Sequence, residues 1–157
     1  MSLFNKSYFS SINIEDELES TQPDYIMYVP HSLNGSTHDT GNEHFIVNRL
    51  NKKYIAIWTQ STAEGRADQR IVVSTSIDEG MSWSPPKIIA GPVPPEVGGL
   101  ASWAFPIITQ KGRIYVFFNK HIGIYDTFFH TTGLMAVTYS DDEGGTWTKP
   151  EIIPMER

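Results

Sequence analysis

Short apolar runs alternate with polar turns along this chain. From Phe45 the sequence reads FIVNRLNKKYIAIW: an apolar run, a polar turn at Asn51-Lys52, and a second apolar run from Tyr54. From Phe105, FPIITQKGRIYVFF repeats the pattern, with its turn at Lys111-Gly112 and its return from Ile114. Each stretch predicts a β-hairpin, and the two overlay without a gap at an offset of 60 residues. Farther on, IVVSTSIDEGMSWSPPKII overlays MAVTYSDDEGGTWTKPEII at an offset of 64. The second copy has therefore gained four residues, which fall in the loop between its second and third strands, roughly Lys120–Thr132 against Ser61–Gln69.

Each repeat thus predicts four consecutive strands, the pattern of a β-propeller blade. Upstream, Tyr25-Ile26-Met27-Tyr28-Val29-Pro30 reads as one more strand. The expected organisation is an N-terminal segment with one strand (1–42), a first blade (43–90) and a second blade (91–157), together one partial, all-β propeller domain.

Both repeats carry Ser-x-Asp-x-Gly-x-Ser/Thr-Trp: Ser76, Asp78, Gly80, Ser82 and Trp83 in the first, Ser140, Asp142, Gly144, Thr146 and Trp147 in the second. Glycine at that place supplies positive φ without a Cβ clash, and the aspartate and hydroxyls can bond nearby backbone N–H groups. The tryptophan anchors the return strand by burial. The pattern resembles the Asp-box, or bacterial neuraminidase repeat, of the sialidase-like superfamily, and the resemblance covers about residues 43–157. It implies a propeller of sialidase type, six-bladed in the full family, in which the Asp-box is a structural element on the outer part of the blade. At roughly 60 residues a blade, six blades need about 360 residues, so the chain is expected to be a piece of about two blades, or else to complete a ring by self-association through its open sheet edges.

Composition narrows the partners. A formal charge of −6 with no Lys/Arg block excludes the basic footprint that nucleic acid or an anionic membrane requires. The absence of cysteine excludes disulfides, thiolate catalysis and Cys-ligated zinc. Aromatics at 12%, with 12 glycines and 10 prolines, favour short strands and turns over helices. The first twenty residues hold no apolar run of signal-peptide or membrane-span length, so a cytoplasmic product is expected if the start is native; Met1-Ser2-Leu3 is equally compatible with a cloning remnant.

Candidate chemistry concentrates in the loop after Trp58, where Glu64, Arg66, Asp68 and Arg70 crowd between two apolar strands. Ala63-Glu64-Gly65-Arg66 followed by Asp68 resembles the first-blade motif of sialidases, which implies that Arg66 binds a polar or anionic group of the sugar and that Asp68, beside Glu64, is the acid/base. Burial is expected to raise the Asp68 pKa toward neutrality for that work. The likeness departs one strand earlier, where sialidases carry Tyr-Arg-Ile-Pro and this chain has His44-Phe45-Ile46-Val47. Phe45 cannot replace a carboxylate-clamping arginine, which argues against sialic acid as the substrate. His44 becomes a further catalytic candidate, since imidazole exchanges protons near neutral pH.

In the second copy, Trp103 is a candidate for stacking on a sugar face, and His121 or His130 for lining the pocket. The polar stretch His31–Gly41 leads into His44 and can reach the same mouth. His31, His38, His44 and Asp39 lack a tight metal-ligand spacing, so neither metal nor other cofactor is expected. The resemblance implies a glycoside hydrolase acting on a terminal sugar, with a tyrosine nucleophile and further arginines supplied by later blades. The alternative is a non-catalytic propeller module that binds carbohydrate or protein.

Overall fold

A computed structural model describes residues 23, 25–94, 99–125 and 131–155, with side chains at 122–125 and 131–132 set aside. His130 and most of the N-terminal segment lie outside the described residues. Among those described there is no helix, so none long and apolar enough to cross a membrane. The chain is all-β: β1 (Gly41–Leu50), β2 (Lys53–Ser61), β3 (Arg70–Ser76) and β4 (Lys87–Ala90) form one antiparallel sheet, and β5 (Ala101–Ile108), β6 (Ile114–Tyr125), β7 (Thr131–Ser140) and β8 (Glu151–Ile152) form another. In both sheets the strands lie in sequence order.

Alternation decides what each sheet buries. On β2 and β3, Ile55, Ile57, Ile71 and Val73 face the second sheet, which answers with Ala101, Ala104, Ile114, Val116, Phe118 and Ala136. Small residues on β5 let the two sheets approach. The opposite face of the first sheet, with Ala56, Trp58 and Val72, is covered by Met27, Tyr28, Trp83 and Ile88. The opposite face of the second sheet leaves Phe105, Ile107 and Met135 exposed.

Three sequence expectations need correction. First, both inner hairpins contain a β-bulge: β1 pairs Glu43 with Thr59 and then Ile46 with Ile57, while β5 pairs Ser102 with Asn119 and then Phe105 with Phe117. Ile46, not Phe45, is therefore the counterpart of Phe105, and the extra residue of the second copy sits in the Thr109–Arg113 turn. Second, the four-residue insertion lengthens strands rather than a loop, since β6 runs on to Tyr125 and pairs it with Thr131. Third, residues 25–30 form no strand. Met27 and Tyr28 pack over Trp58, while Tyr25, Ile26 and Val29 stay exposed, and Pro30 has no N–H to offer a ladder. β1 also begins at Gly41, inside the segment expected to precede the first blade.

The Ser-x-Asp-x-Gly-x-Ser/Thr-Trp turns are built identically. In the second, Ser140 Oγ donates to Asp142 Oδ1 (2.8 Å) and accepts from the Gly144 N–H (2.8 Å). Asp142 accepts from the Thr146 N–H and hydroxyl, each at 2.7 Å. Trp147 Nε1–H donates to the Gly144 carbonyl at 3.1 Å. Ser76, Asp78, Gly80, Ser82 and Trp83 repeat every one of these bonds. The carboxylates are held low by these donors: Asp78 at about 2, chiefly by the Ser82 hydroxyl and amide, and Asp142 below its usual range, chiefly by the Thr146 amide. Gly144 is required twice over, by its φ of +87° and because a Cβ there would come 2.8 Å from Ile55 Cδ1 on the first sheet.

Ser140→Ala strands the buried Gly144 N–H, so it should cost about 1–3 kcal/mol in chemical denaturation. Ser76→Ala should do the same at Gly80. No change in midpoint for either would show that the turn is not held as described.

Candidate functional site

The starts of β1, β3 and β5 and the end of β2 lie at one end of the paired sheets, with the β2–β3 loop (residues 62–69) and the His31–Thr40 segment above them. Two successive turns shape that loop, with Arg66 N–H donating to Ala63 O (3.3 Å) and Gln69 N–H to Arg66 O (3.1 Å). They drive Asp68 inward, where only 4% of it stays exposed. Its Oδ2 accepts from the Thr62 amide (2.9 Å), the Thr62 hydroxyl (2.6 Å) and His38 Nδ1 (2.9 Å). Its Oδ1 is buried without a partner.

A carboxylate only accepts, so His38 carries a proton on Nδ1, and its Nε2 has no protein partner among the described residues. The His38 side chain is 43% exposed and Asp68 lies behind it. Arg70, buried at the start of β3, fixes the segment in place: its Nη2 donates to the His38 carbonyl (2.6 Å) and to Gln60 Oε1 (2.9 Å). Asn42 Oδ1 accepts from Trp58 Nε1–H (2.8 Å) and Gln60 Nε2–H (3.1 Å), so the strand ends are tied to the same network.

Beside it lies a second polar cluster. Asp39 accepts from the Tyr28 hydroxyl, the His31 amide (2.9 Å) and His31 Nδ1 (2.7 Å). Tyr28, Asp39, His38 and Arg70 line one side of a cavity of about 590 Å³, whose other wall is Trp83, Pro85, Pro86 and Ile88.

The electrostatics reverse one expectation. Burial pushes Asp68 up, but the Thr62 hydroxyl, His38 and the Thr62 amide outweigh it and hold the carboxyl below its usual range. Asp68 is therefore ionised rather than poised near neutrality. Asp39 behaves alike: burial is opposed and overcome by Thr37, Tyr28 and His31. Tyr28, half-buried and beside that carboxylate, is pushed up to about 12, chiefly by burial. Burial draws Arg70 down while the charges of Asp68 and Asp39 act in the other direction.

Of the other sequence candidates, Glu64 and Arg66 lie exposed on the loop, and neither side chain makes a hydrogen bond or ion pair among the described residues. His44 is on the β1 bulge, with Nδ1 3.4 Å from Glu43 Oε2, and Trp103 is on the β5 bulge. Their rings meet edge to face, centroids 6.1 Å apart. Both have positive φ, +56° and +57°, a conformation costing about 1–3 kcal/mol in a non-glycine residue. The Trp103 amide donates to Thr59 Oγ1 (3.0 Å), linking the two sheets at this end. His121, expected in a loop beyond the strand, is inside β6 and buried, its Nε2 3.0 Å from Ser102 Oγ.

The structure thus joins Asp68 to His38 and His44 to Trp103, while Glu64 and Arg66 stand apart. The sequence reading did not place Tyr28, Thr62 or Gln60 at the site. A polar Gln60 and a cationic Arg70 on the same face as the apolar Trp58 and Val72 are the signal that marks a buried polar network there.

No protein-family model matches the chain, and no curated protein matches it by sequence. Its fold is similar to that of a family 117 glycoside hydrolase produced by the marine bacterium Zobellia galactanivorans, with a TM-score of 0.51 and 17% identity over 80% of this chain and 41% of that one. It is also similar to a protein of unknown function from Dyadobacter fermentans, with a TM-score of 0.53 and 18% identity over 73% of this chain and 38% of that one. The likeness is one of fold, and the chain spans about two fifths of the length of either structure.

The pKa directions predict a loss of stability toward both pH extremes. Asp68 titrates lower folded than unfolded, so its contribution is full above about pH 4 and is lost as pH falls through the lowered folded value. Tyr28 titrates higher folded, so its contribution is full below pH 10 and is lost as pH rises toward about 12. Melting curves should show Asp68→Asn with a shallower acid slope than the parent, and Tyr28→Phe with a shallower alkaline slope. Parallel slopes in both would contradict the network.

Proposed function

We propose that this chain is part of a larger propeller of sialidase type, with Asp-box blades at 43–90 and 91–157, that acts as a glycoside hydrolase on a terminal sugar. The single observation that carries the reading is the dyad at the strand-end mouth, an ionised, buried Asp68 bonded to the outward-facing imidazole of His38. In this proposal His38 Nε2 exchanges the proton with the glycosidic oxygen or the attacking water. Asp68 is the partner that fixes the imidazole tautomer and stabilises the imidazolium as it forms. Arg66 and Glu64 approach the sugar from the exposed loop, His44 and Trp103 from the strands, and His121 supports the second sheet's side of the mouth.

The part-of-a-whole reading draws on the uncovered face of the second sheet. There Phe105, Ile107, Phe117, Met135 and Ile153 line a groove of about 540 Å³, apolar almost throughout. A further sheet packed there would bury it as the second sheet buries the first. Left open, that face and the strand edges favour self-association.

The second reading, a non-catalytic module binding carbohydrate or protein, is favoured by the depth of Asp68, whose Oδ1 is sealed from solvent. Turnover separates the two. In the complete protein, His38→Ala should lower kcat by about 10²–10⁴-fold, and Asp68→Asn should abolish most turnover while the protein stays folded. Unchanged activity in both would overturn the dyad, and binding without turnover across sialosides, uronides and neutral glycosides would favour the module.

A further inference from the structure

Residues 25–30 are mostly apolar and lie against a sheet, yet their backbone pairs with nothing. From Tyr25 to Pro30 no main-chain group makes a hydrogen bond among the described residues. Met27 and Tyr28 pack on Trp58, while Tyr25, Ile26 and Val29 are each more than half exposed. A strand in a sheet is only about 4.8 Å wide, so one segment covers a single strip of a four-stranded face. The remainder of the outer face of the first sheet stays open. A cavity of about 590 Å³ is lined by the segment with Pro85, Pro86 and Ile88, and another of about 280 Å³ by the segment with Val47 and Tyr54.

The internal repeat identifies the segment. Ahead of the β5–β6 turn the two copies are offset by 59 residues, since the bulges match Glu43 with Ser102. Moved back by that offset, β4 falls on residues 28–31, at the end of the segment. β4 is the fourth strand of the first sheet: its backbone pairs with β3, while its Ile89 and Ala90 sit in the apolar layer with Phe118 of the second sheet. Phe118 is the counterpart of Trp58, because Phe117 pairs with Phe105 as Ile57 pairs with Ile46. Met27 and Tyr28 therefore lie on the first sheet as β4 lies on the second, but with no third strand beside them. The proline agrees. β8, the other fourth strand, runs into Ile153-Pro154 as this segment runs into Val29-Pro30, and proline is tolerated on an edge strand.

We propose that residues 25–30 are the fourth, outermost strand of a further sheet, pairing antiparallel with the third of three strands supplied by the rest of the complete protein; this rests on the reading of the chain as part of a larger propeller. The interface is one the chain already contains, used again. Phe45, Ala56, Trp58 and Val72 on the first sheet are the counterparts of Ala104, Val116, Phe118 and Ala136, the residues by which the second sheet receives the first. Phe45, stacked on Trp58 yet 44% exposed, and Val47, 51% exposed, are buried by the further sheet. A second copy of this chain does not supply the partner strand, since β3 is already edged by β4 and β7 by β8. The segment then belongs in sequence to the first sheet and in pairing to the further one, and so ties the two together.

The test is amide hydrogen exchange, read by mass spectrometry on peptides spanning residues 25–30, in the complete protein and in the 157-residue chain alone. These amides should exchange at the unprotected rate in the chain alone and at least about a hundredfold more slowly in the complete protein. Ile26 and Val29 stand three apart, so one N–H faces the third strand and the other faces away. One of Ile26→Pro and Val29→Pro should therefore lower the melting temperature of the complete protein by about 2 °C or more, and neither should change that of the chain alone. Rapid exchange in the complete protein, or a melting temperature untouched by either proline, would overturn the strand. Protection in the chain alone that grows with its concentration would overturn it too, by marking a second copy as the partner. Met135→Lys, on the open face of the second sheet, reports separately on the larger propeller, because it destabilises the complete protein only where a further sheet covers that face. Destabilisation by Met135→Lys with rapid exchange at residues 25–30 would remove the strand and leave the larger propeller standing; a harmless Met135→Lys with rapid exchange would remove both.

Discussion

The packing of one four-stranded sheet on the other is the constraint on which the rest depends. Ile55, Ile57, Ile71 and Val73 meet Ala104, Ile114, Val116, Phe118 and Ala136 across a single apolar layer. Alanines on the β5 side keep that layer thin. The Ala101 amide can then reach the Gln69 carbonyl at 3.0 Å, and the Trp103 amide can reach Thr59. Even the second Ser-Asp-Gly turn leans on Ile55. Two sheets packed this closely start their first strands side by side, which brings His44 and Trp103 into ring contact although 58 residues separate them in the chain.

On that platform the site is held by polar groups that bury themselves. Asp68, Arg70 and Gln60 are inside, and their desolvation is offset by bonds to Thr62, His38 and each other. The exposed members are imidazoles and an indole, groups suited to proton exchange and ring stacking. The carboxylate within is held by its donors, Thr62 and His38, which is why Asp68 is ionised instead of neutral.

Much of the fold was legible because its determinants are local. The Ser-x-Asp-x-Gly-x-Ser/Thr-Trp turns are closed by residues at most four positions apart, so pattern and geometry coincide. The strand count of each sheet follows from the same alternation. The register of the first strands was not legible, since a bulge in each copy and one extra residue in the second turn leave an ungapped alignment that looks sound. That one-residue shift paired Phe45 with Phe105 and hid the equivalence of His44 and Trp103. The charge state of Asp68 was hidden as well, because His38, one of its partners, is 30 residues away and Thr62 acts through both its amide and its hydroxyl. Residues 25–30 look like a strand by composition, yet they pair with no strand, and only Met27 and Tyr28 pack onto Trp58.

The claim that sheet packing creates the mouth is tested most directly by nuclear Overhauser contacts in the folded chain. The account predicts cross-peaks between the His44 imidazole and Trp103 indole protons, together with contacts between Ile55 or Ile57 and Phe118 across the two sheets. Intersheet contacts without any His44–Trp103 contact would contradict it.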